Sequence, residues 1–191
     1  MRWLDVRRHS LTKKGVARGR GSHLSAEGVA LARALGSEAR PYERAVTSSS
    51  PRAVETAVAM GFAVDDTVEM PSGYVPGEFP RHAQWDWAEP YRRLAEVVRE
   101  GRDAAAVAEV LRVMWADADA VGGVAEGGSA LLVGHGGAIE LALVACFPDA
   151  AHASWGAPFA HGDGVRLGFA GGRFVSAEFR RRGRSCGASL G

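Results

Sequence analysis

Cysteine is nearly missing from this 191-residue chain. There are only two, Cys146 and Cys186, and they show no metal-ligand spacing. Cys146 sits in an apolar run and reads as core, and Cys186 sits in a Gly/Ser-rich stretch. A disulfide framework is therefore not expected, and a reducing, cytoplasmic compartment is. Long apolar runs are also missing: none reaches the roughly 18 residues of a membrane span. The charges at Arg2, Asp5, Arg7 and Arg8 stand where a signal peptide would need an apolar core. Charge of one sign is missing too. Lys plus Arg number 23 against 22 Asp plus Glu, a net +1 that gives no global case for nucleic acid or an anionic membrane as partner. No internal repeat is visible.

What is present is ordinary for one globular domain, with 47% hydrophobic and 24% charged residues. The length suits one α/β domain and not two. Residues 3–7 read as a first strand, and Ser25 as the cap of a helix that Gly36 ends. Residues 44–48 form a second strand. Ser50 and Pro51 open a second helix, which stops at Gly61. Residues 62–68 hold a short strand. Residues 71–90 carry six Pro or Gly breakers and the aromatics Tyr74, Phe79, Trp85 and Trp87, the composition of an ordered lid or pocket wall. Helices are expected over 89–100 and 103–121, a strand buried on both faces over 129–133, and a buried helix over 138–147. Residues 165–170 and 173–179, joined at Gly171-Gly172, read as a hairpin.

Alternating helices and strands predict a three-layer α/β/α fold, with a mostly parallel sheet, helices on both faces and a C-terminal hairpin. The expected organisation is a single domain over 1–180 and a flexible tail over 181–191.

Parallel sheets bind ligands beyond the carboxyl ends of their strands. Arg8-His9 follows the first strand, Arg52 opens the helix after the second, and His135 follows the strand near 129–134. All three should emerge on one sheet edge. Glycines at 134, 136 and 137 let backbone approach a ligand, and helix N-termini after Ser50 and Gly137 offer N–H donors to an anion. Two arginines add forked donors suited to phosphate oxygens. Two histidines, two arginines and two helix N-termini describe a phosphate site. A metal fits poorly beside the arginines, so no metal and no cofactor are expected.

These segments resemble the histidine phosphatase superfamily, in its phosphoglycerate mutase-like branch. Its Arg-His-Gly triplet is similar to Arg8-His9-Ser10, with Thr12 also in a matching place. Its Ser-Ser-x-x-Arg-Ala-x-x-Thr-Ala segment is similar to Ser48–Ala57, and its second histidine segment to Val133–Gly137. The likeness covers residues 3–61 and 129–147. It implies that His9 is the nucleophile, forming a phosphohistidine that water hydrolyses, and that Arg8, Arg52 and His135 hold the phosphoryl oxygens. It also implies a glutamate general acid in the variable loop. Glu78 is the choice within that loop, with Asp86 and Glu89 behind it. The acid phosphatase branch places an aspartate directly after the second histidine, where this chain has Gly136.

Two departures stand out. Ser10 replaces the usual glycine, as a variant with a hydroxyl to donate to phosphate. Gly15 stands near a usual asparagine, with Lys13, Lys14, Arg18 and Arg20 as basic substitutes. His23, His82 and His152 have no motif support, and His161 lies where it could face the site. The expected function is a phosphatase acting on a small phosphorylated metabolite, as a monomer or homodimer. The alternatives are a mutase, a protein-phosphohistidine phosphatase, or a non-catalytic phosphate-binding homologue.

Overall fold

The computed structural model describes residues 1–14, 22–71, 73–78, 80–117 and 120–182. The expectations placed on Gly15, Arg18, Arg20, Phe79 and the stretch 183–191 lie outside these described residues.

The strands are β1 (Arg2–Arg8), β2 (Arg44–Ser48), β3 (Asp66–Val68), β4 (Ser129–Gly134), β5 (Gly164–Ala170) and β6 (Arg173–Arg180). The helices are α1 (Ala26–Ser37), α2 (Pro51–Ala59), α3 (Pro90–Arg99), α4 (Asp103–Ala116) and α5 (Ala138–Cys146). The sheet order is β3-β2-β4-β1-β5-β6. The pairs β2–β3, β2–β4 and β1–β4 are parallel, and β5 joins β1 antiparallel before turning into the hairpin with β6. This is the expected α/β fold, a mixed sheet whose parallel part carries the strand ends of interest.

Burial explains the layers. Every residue of β4 is buried, as the continuous apolar run requires of a strand covered on both faces. On one face Leu4, Val6, Ala130 and Leu132 pack into the large core with Tyr91, Leu94, Leu111 and Ile139 of α3, α4 and α5. On the other, Leu131 and Val133 meet Ala32 of α1 and Ala53 and Ala57 of α2 in a smaller cluster. The alternation along β1 and β4 is what sends neighbouring residues to opposite layers.

Three expectations change in detail. Gly36 does not end α1, which runs on to Ser37. A Cβ on Gly36 would lie 2.0 Å from the Met60 carbonyl oxygen, so this glycine serves the close approach of α1 to the end of α2. Gly61, with φ of +94°, does stand where α2 stops. The long helix expected to 121 ends at Ala116, and a 3₁₀ turn follows at Val121–Gly123. The expected tail does not begin at 181. The Arg181 guanidinium donates to the carbonyls of Trp155 (2.8 Å) and Ala157, and the Arg182 N–H donates to Asp163 Oδ1 at 3.0 Å. No helix among the described residues is long and apolar enough to cross a membrane.

Candidate active site

Because β1, β2 and β4 are parallel, their carboxyl ends share one edge, and Arg8-His9, Ser48 and His135 come together there. The register fixes this: Arg8 pairs with Gly134, and Thr47 pairs with Val133. Thr56, one turn beyond Arg52 on α2, ties the elements together. Its Oγ1 accepts from the Ser10 N–H (2.9 Å) and donates to the Arg52 carbonyl (2.6 Å). The loop after β1 is thereby anchored to the helix that carries Arg52.

His9 is buried, with 7% of its surface exposed. Its Nδ1 lies 2.8 Å from the Ser10 carbonyl oxygen, which can only accept, so Nδ1 carries the proton. The Nε2 lone pair accepts from Arg52 Nε at 3.2 Å. Burial, reinforced by His135 and Arg52, pushes the His9 pKa down to about 2, although the Ser10 carbonyl works the other way. The ring is neutral, in one tautomer, with its basic nitrogen on the arginine side. Arg52 also reaches the second histidine: its Nη2 donates to His135 Nδ1 (3.3 Å), while His135 Nε2–H faces Ser48 Oγ at 2.7 Å. One guanidinium thus bridges both rings, whose centroids are 5.3 Å apart.

Arg8 approaches from the other layer. Its Nη1 donates to the Phe159 carbonyl (2.6 Å) and faces His82 Nδ1 (3.3 Å). A Cβ on Gly136 would lie 3.0 Å from Arg8 Nε, so Gly136 is the residue that lets Arg8 lie against the His135 turn. His82 is backed by Glu140, whose Oε1 accepts from its Nε2 at 2.9 Å. Glu140 is fully buried in the first turn of α5 and also accepts from the N–H groups of Gly137 (2.7 Å) and Phe159 (2.9 Å). Burial raises its pKa, but His82 and these two N–H donors outweigh it, and the carboxyl is held below its ordinary value. A chain runs from Glu140 through His82 to Arg8.

His161 does face the site. Its Nδ1 lies 3.2 Å from the His9 carbonyl and its ring centroid 5.1 Å from that of His9. Burial, and then Arg8, push its pKa down to about 4. The sequence offered only the Ala-His-Gly-Asp-Gly turn before β5 as a signal for it. Nothing local marked His82 or Glu140, which become neighbours of Arg8 through the path of the 71–90 segment and the inward face of α5.

Two expected site residues are placed elsewhere. Ser10 is fully buried and its hydroxyl donates to the Gly28 carbonyl of α1 at 2.7 Å, so it holds helix to loop and does not face a phosphate. No non-glycine residue among those described has positive φ, so serine stands at this position without backbone strain. Glu78 accepts from the N–H groups of Asp103 (3.2 Å) and Ala104 (3.0 Å) and caps the start of α4. The reason is the route of the loop, which carries Glu78 to α4 instead of to the strand ends. Of the acids behind it, Glu89 pairs with Arg92.

A cavity of about 350 Å³ opens in front of Arg52 and His135. Gly73, Tyr74, Arg81 and His82 of the 71–90 segment line it, so that stretch is a pocket wall. The stacked Trp85 and Trp87 (5.4 Å between centroids) pack on the core behind it. Among the described lining residues the carboxylate is Glu69, just after β3, exposed and accepting from Ser49 Oγ. The sequence held a signal for it, a carboxylate directly after a strand that the parallel order places at the same edge.

The profile of the histidine phosphatase superfamily (branch 1) matches residues 6–181. Among curated proteins no significant match is found. Several solved structures share the fold. A phosphoserine phosphatase from Entamoeba histolytica, in complex with 3-phosphoglyceric acid, is 15% identical with a TM-score of 0.64, over 96% of this chain and 98% of that one. A mycobacterial glucosyl-3-phosphoglycerate phosphatase in complex with VO3 is 24% identical with a TM-score of 0.60, over 88% and 93%. A Thermus thermophilus protein is 21% identical with a TM-score of 0.54, over 92% and 98%.

Proposed function

The chain belongs to the histidine phosphatase superfamily, branch 1, and from that premise we propose that it is a phosphatase hydrolysing a small phosphate monoester through a phosphohistidine on His9. The observation that carries this reading is the state of His9: neutral, with Nδ1–H held by the Ser10 carbonyl and Nε2 turned to Arg52. A nucleophilic imidazole needs this tautomer, fixed before substrate arrives. That two of the similarly folded proteins are phosphatases supports hydrolysis over mutase chemistry.

The geometry supports the following steps. Arg52 bridges His9 and His135, and a phosphoryl group offers its guanidinium stronger, charged acceptors than two ring nitrogens. Drawn onto the phosphoryl oxygens with Arg8 and His135, it uncovers Nε2 for in-line attack. The N–P bond forms as the ester P–O bond breaks, and the leaving oxygen takes a proton from Glu69, which lines the cavity where that oxygen would lie. Water then attacks phosphorus, the N–P bond breaks, and the Glu69 carboxylate takes the water proton. Most of the catalysis is positioning and charge stabilisation.

The test is hydrolysis of an aryl and an alkyl phosphate. His9→Ala abolishes turnover of both, and wild type yields an acid-labile, base-stable phosphate on His9. Glu69→Gln lowers kcat for the alkyl ester about 10²-fold or more, with a much smaller loss for a nitrophenyl ester that needs no proton. Equal rates for wild type and His9→Ala would refute the nucleophile, and an unchanged alkyl rate would remove Glu69.

A further inference from the structure

A second cavity, about 430 Å³, opens on the α1 side of the sheet and shares none of the described lining residues of the first. Six arginines line it: Arg7, Arg40, Arg166, Arg180, Arg181 and Arg182. They come from β1, the connection from α1 to β2, β5, and the end of β6 with the two residues after it. The carboxylates among the lining residues are Asp5 and Glu38. Among the described lining residues this is an excess of four positive charges, which Glu178 and Asp163, paired with two of the arginines, reduce to two.

Some of this charge is already answered. Asp5 accepts from Arg166 at 2.6 Å, and Arg166 also lies over the Trp3 ring. Glu178 accepts from Arg180 at 2.9 Å, and Asp163 lies 3.7 Å from Arg182 Nε. Arg7 Nη1 donates to the Gly162 carbonyl (3.1 Å), but its Nε is buried with no hydrogen-bond partner among the described residues. Bringing guanidinium groups from four separate parts of the chain into one concavity costs mutual repulsion, which an anion would relieve. A single phosphate occupies one or two arginines. A ring of them around a cavity of small-ligand size suits a chain of linked phosphates, each with oxygens for a forked donor.

The cavity touches the catalytic cluster through residues 157–163. Arg181 donates to Ala157 and Trp155 carbonyls and lies over Phe159, Arg182 binds Asp163, and Arg7 binds Gly162. The same stretch supplies the Phe159 carbonyl that holds Arg8 and the His161 ring beside His9. We propose that this arginine-lined cavity is a second anion site that binds an oligophosphate chain, and that its occupancy is transmitted to Arg8 through residues 157–163. The binding part of this inference does not rest on the phosphatase reading.

The experiment is calorimetric titration of the full chain with inorganic tripolyphosphate at low salt. The variants are Arg52→Ala and the double variant Arg40→Ser/Arg180→Ser, whose two arginines are exposed, with Arg180 donating to Glu178. The expected result is a binding event that survives Arg52→Ala and weakens at least ten-fold in the double variant, whose circular dichroism is unchanged. Tripolyphosphate should also alter kcat at saturating aryl phosphate in wild type and not in the double variant. Binding lost with Arg52→Ala and indifferent to the double variant would overturn the site. Inorganic phosphate binding there as tightly as tripolyphosphate would overturn the ligand class. Purely competitive inhibition, equal in wild type and double variant, would overturn the link to Arg8.

Discussion

His9 and His161, beside Arg52 and Arg8, are both pushed below the ordinary histidine pKa, and this has a measurable consequence. His161 is shifted from 6.5 to about 4 by burial and Arg8. Its pKa is depressed on folding, so between these values the unfolded chain binds more protons than the folded one. Stability is therefore full above about 6.5 and is lost as pH falls towards 4. His9 extends the same loss to lower pH, since its folded value lies near 2. The expected outcome is a melting temperature that declines steadily from pH 6.5 to 4 in wild type. In His161→Asn, which keeps a donor for the His9 carbonyl, the decline should be shallower. Parallel profiles for the two proteins would show that His161 is not neutral in the fold. At this scale the sequence was informative where roles are local. Arg8, His9, Arg52 and His135 are fixed by strand ends and helix starts, which short motifs encode. Glu78 and His82 depend on where a Pro- and Gly-rich segment runs, and composition does not specify that path; Glu140 matters only through the His82 that this path brings to it. Ser10 departs from its expected role for a related reason. Its partner, the Gly28 carbonyl, is 18 residues away, and only the closeness of α1 to the loop makes the contact.

Elements were legible where one periodicity dominated, as in β4, α2 and the β5–β6 hairpin. They were less so where tertiary contacts decide. Gly36 has the look of a helix stop, yet it lies within α1 because the Met60 carbonyl leaves no room for a Cβ. The start of α4 shows the same dependence. Arg102 occupies its cap position without a side-chain cap, and Glu78, 25 residues upstream, supplies the acceptors for Asp103 and Ala104. Negative charge there also complements the helix dipole. Replacing such a cap costs about 1 kcal/mol, or roughly 2–4 °C for a domain of this size. Glu78→Ala should therefore lower the melting temperature by that amount and leave kcat for an alkyl phosphate within about two-fold of wild type. A large loss of kcat with unchanged melting would restore Glu78 to the chemistry and displace Glu69.

Across the whole molecule, the site gathers residues from position 8 to position 161 onto one sheet edge. Arg8 ends β1 and His9 follows it, Arg52 lies in the first turn of α2, His135 follows β4, and His161 precedes β5. No short segment holds this constellation alone, so an unfolded chain has no comparable affinity for a phosphoryl group. A ligand that binds only the folded state stabilises it by RT ln(1 + [L]/Kd), about 2.7 kcal/mol at a hundred times Kd. At roughly 2–4 °C per kcal/mol, vanadate at that excess should raise the melting temperature by about 5–10 °C. The gain should reach the global transition, since the ligated elements span both layers of helices: α2 on one face, and on the other α5, whose Glu140 holds His82 against Arg8. Arg52→Ala should abolish most of the shift, because that guanidinium is the group both histidines share. Glu69→Gln should keep the shift, since its proposed role is to move a proton and not to hold the anion. A vanadate shift that survives Arg52→Ala would place the phosphoryl group away from the two histidines, and with it the proposed attack by His9.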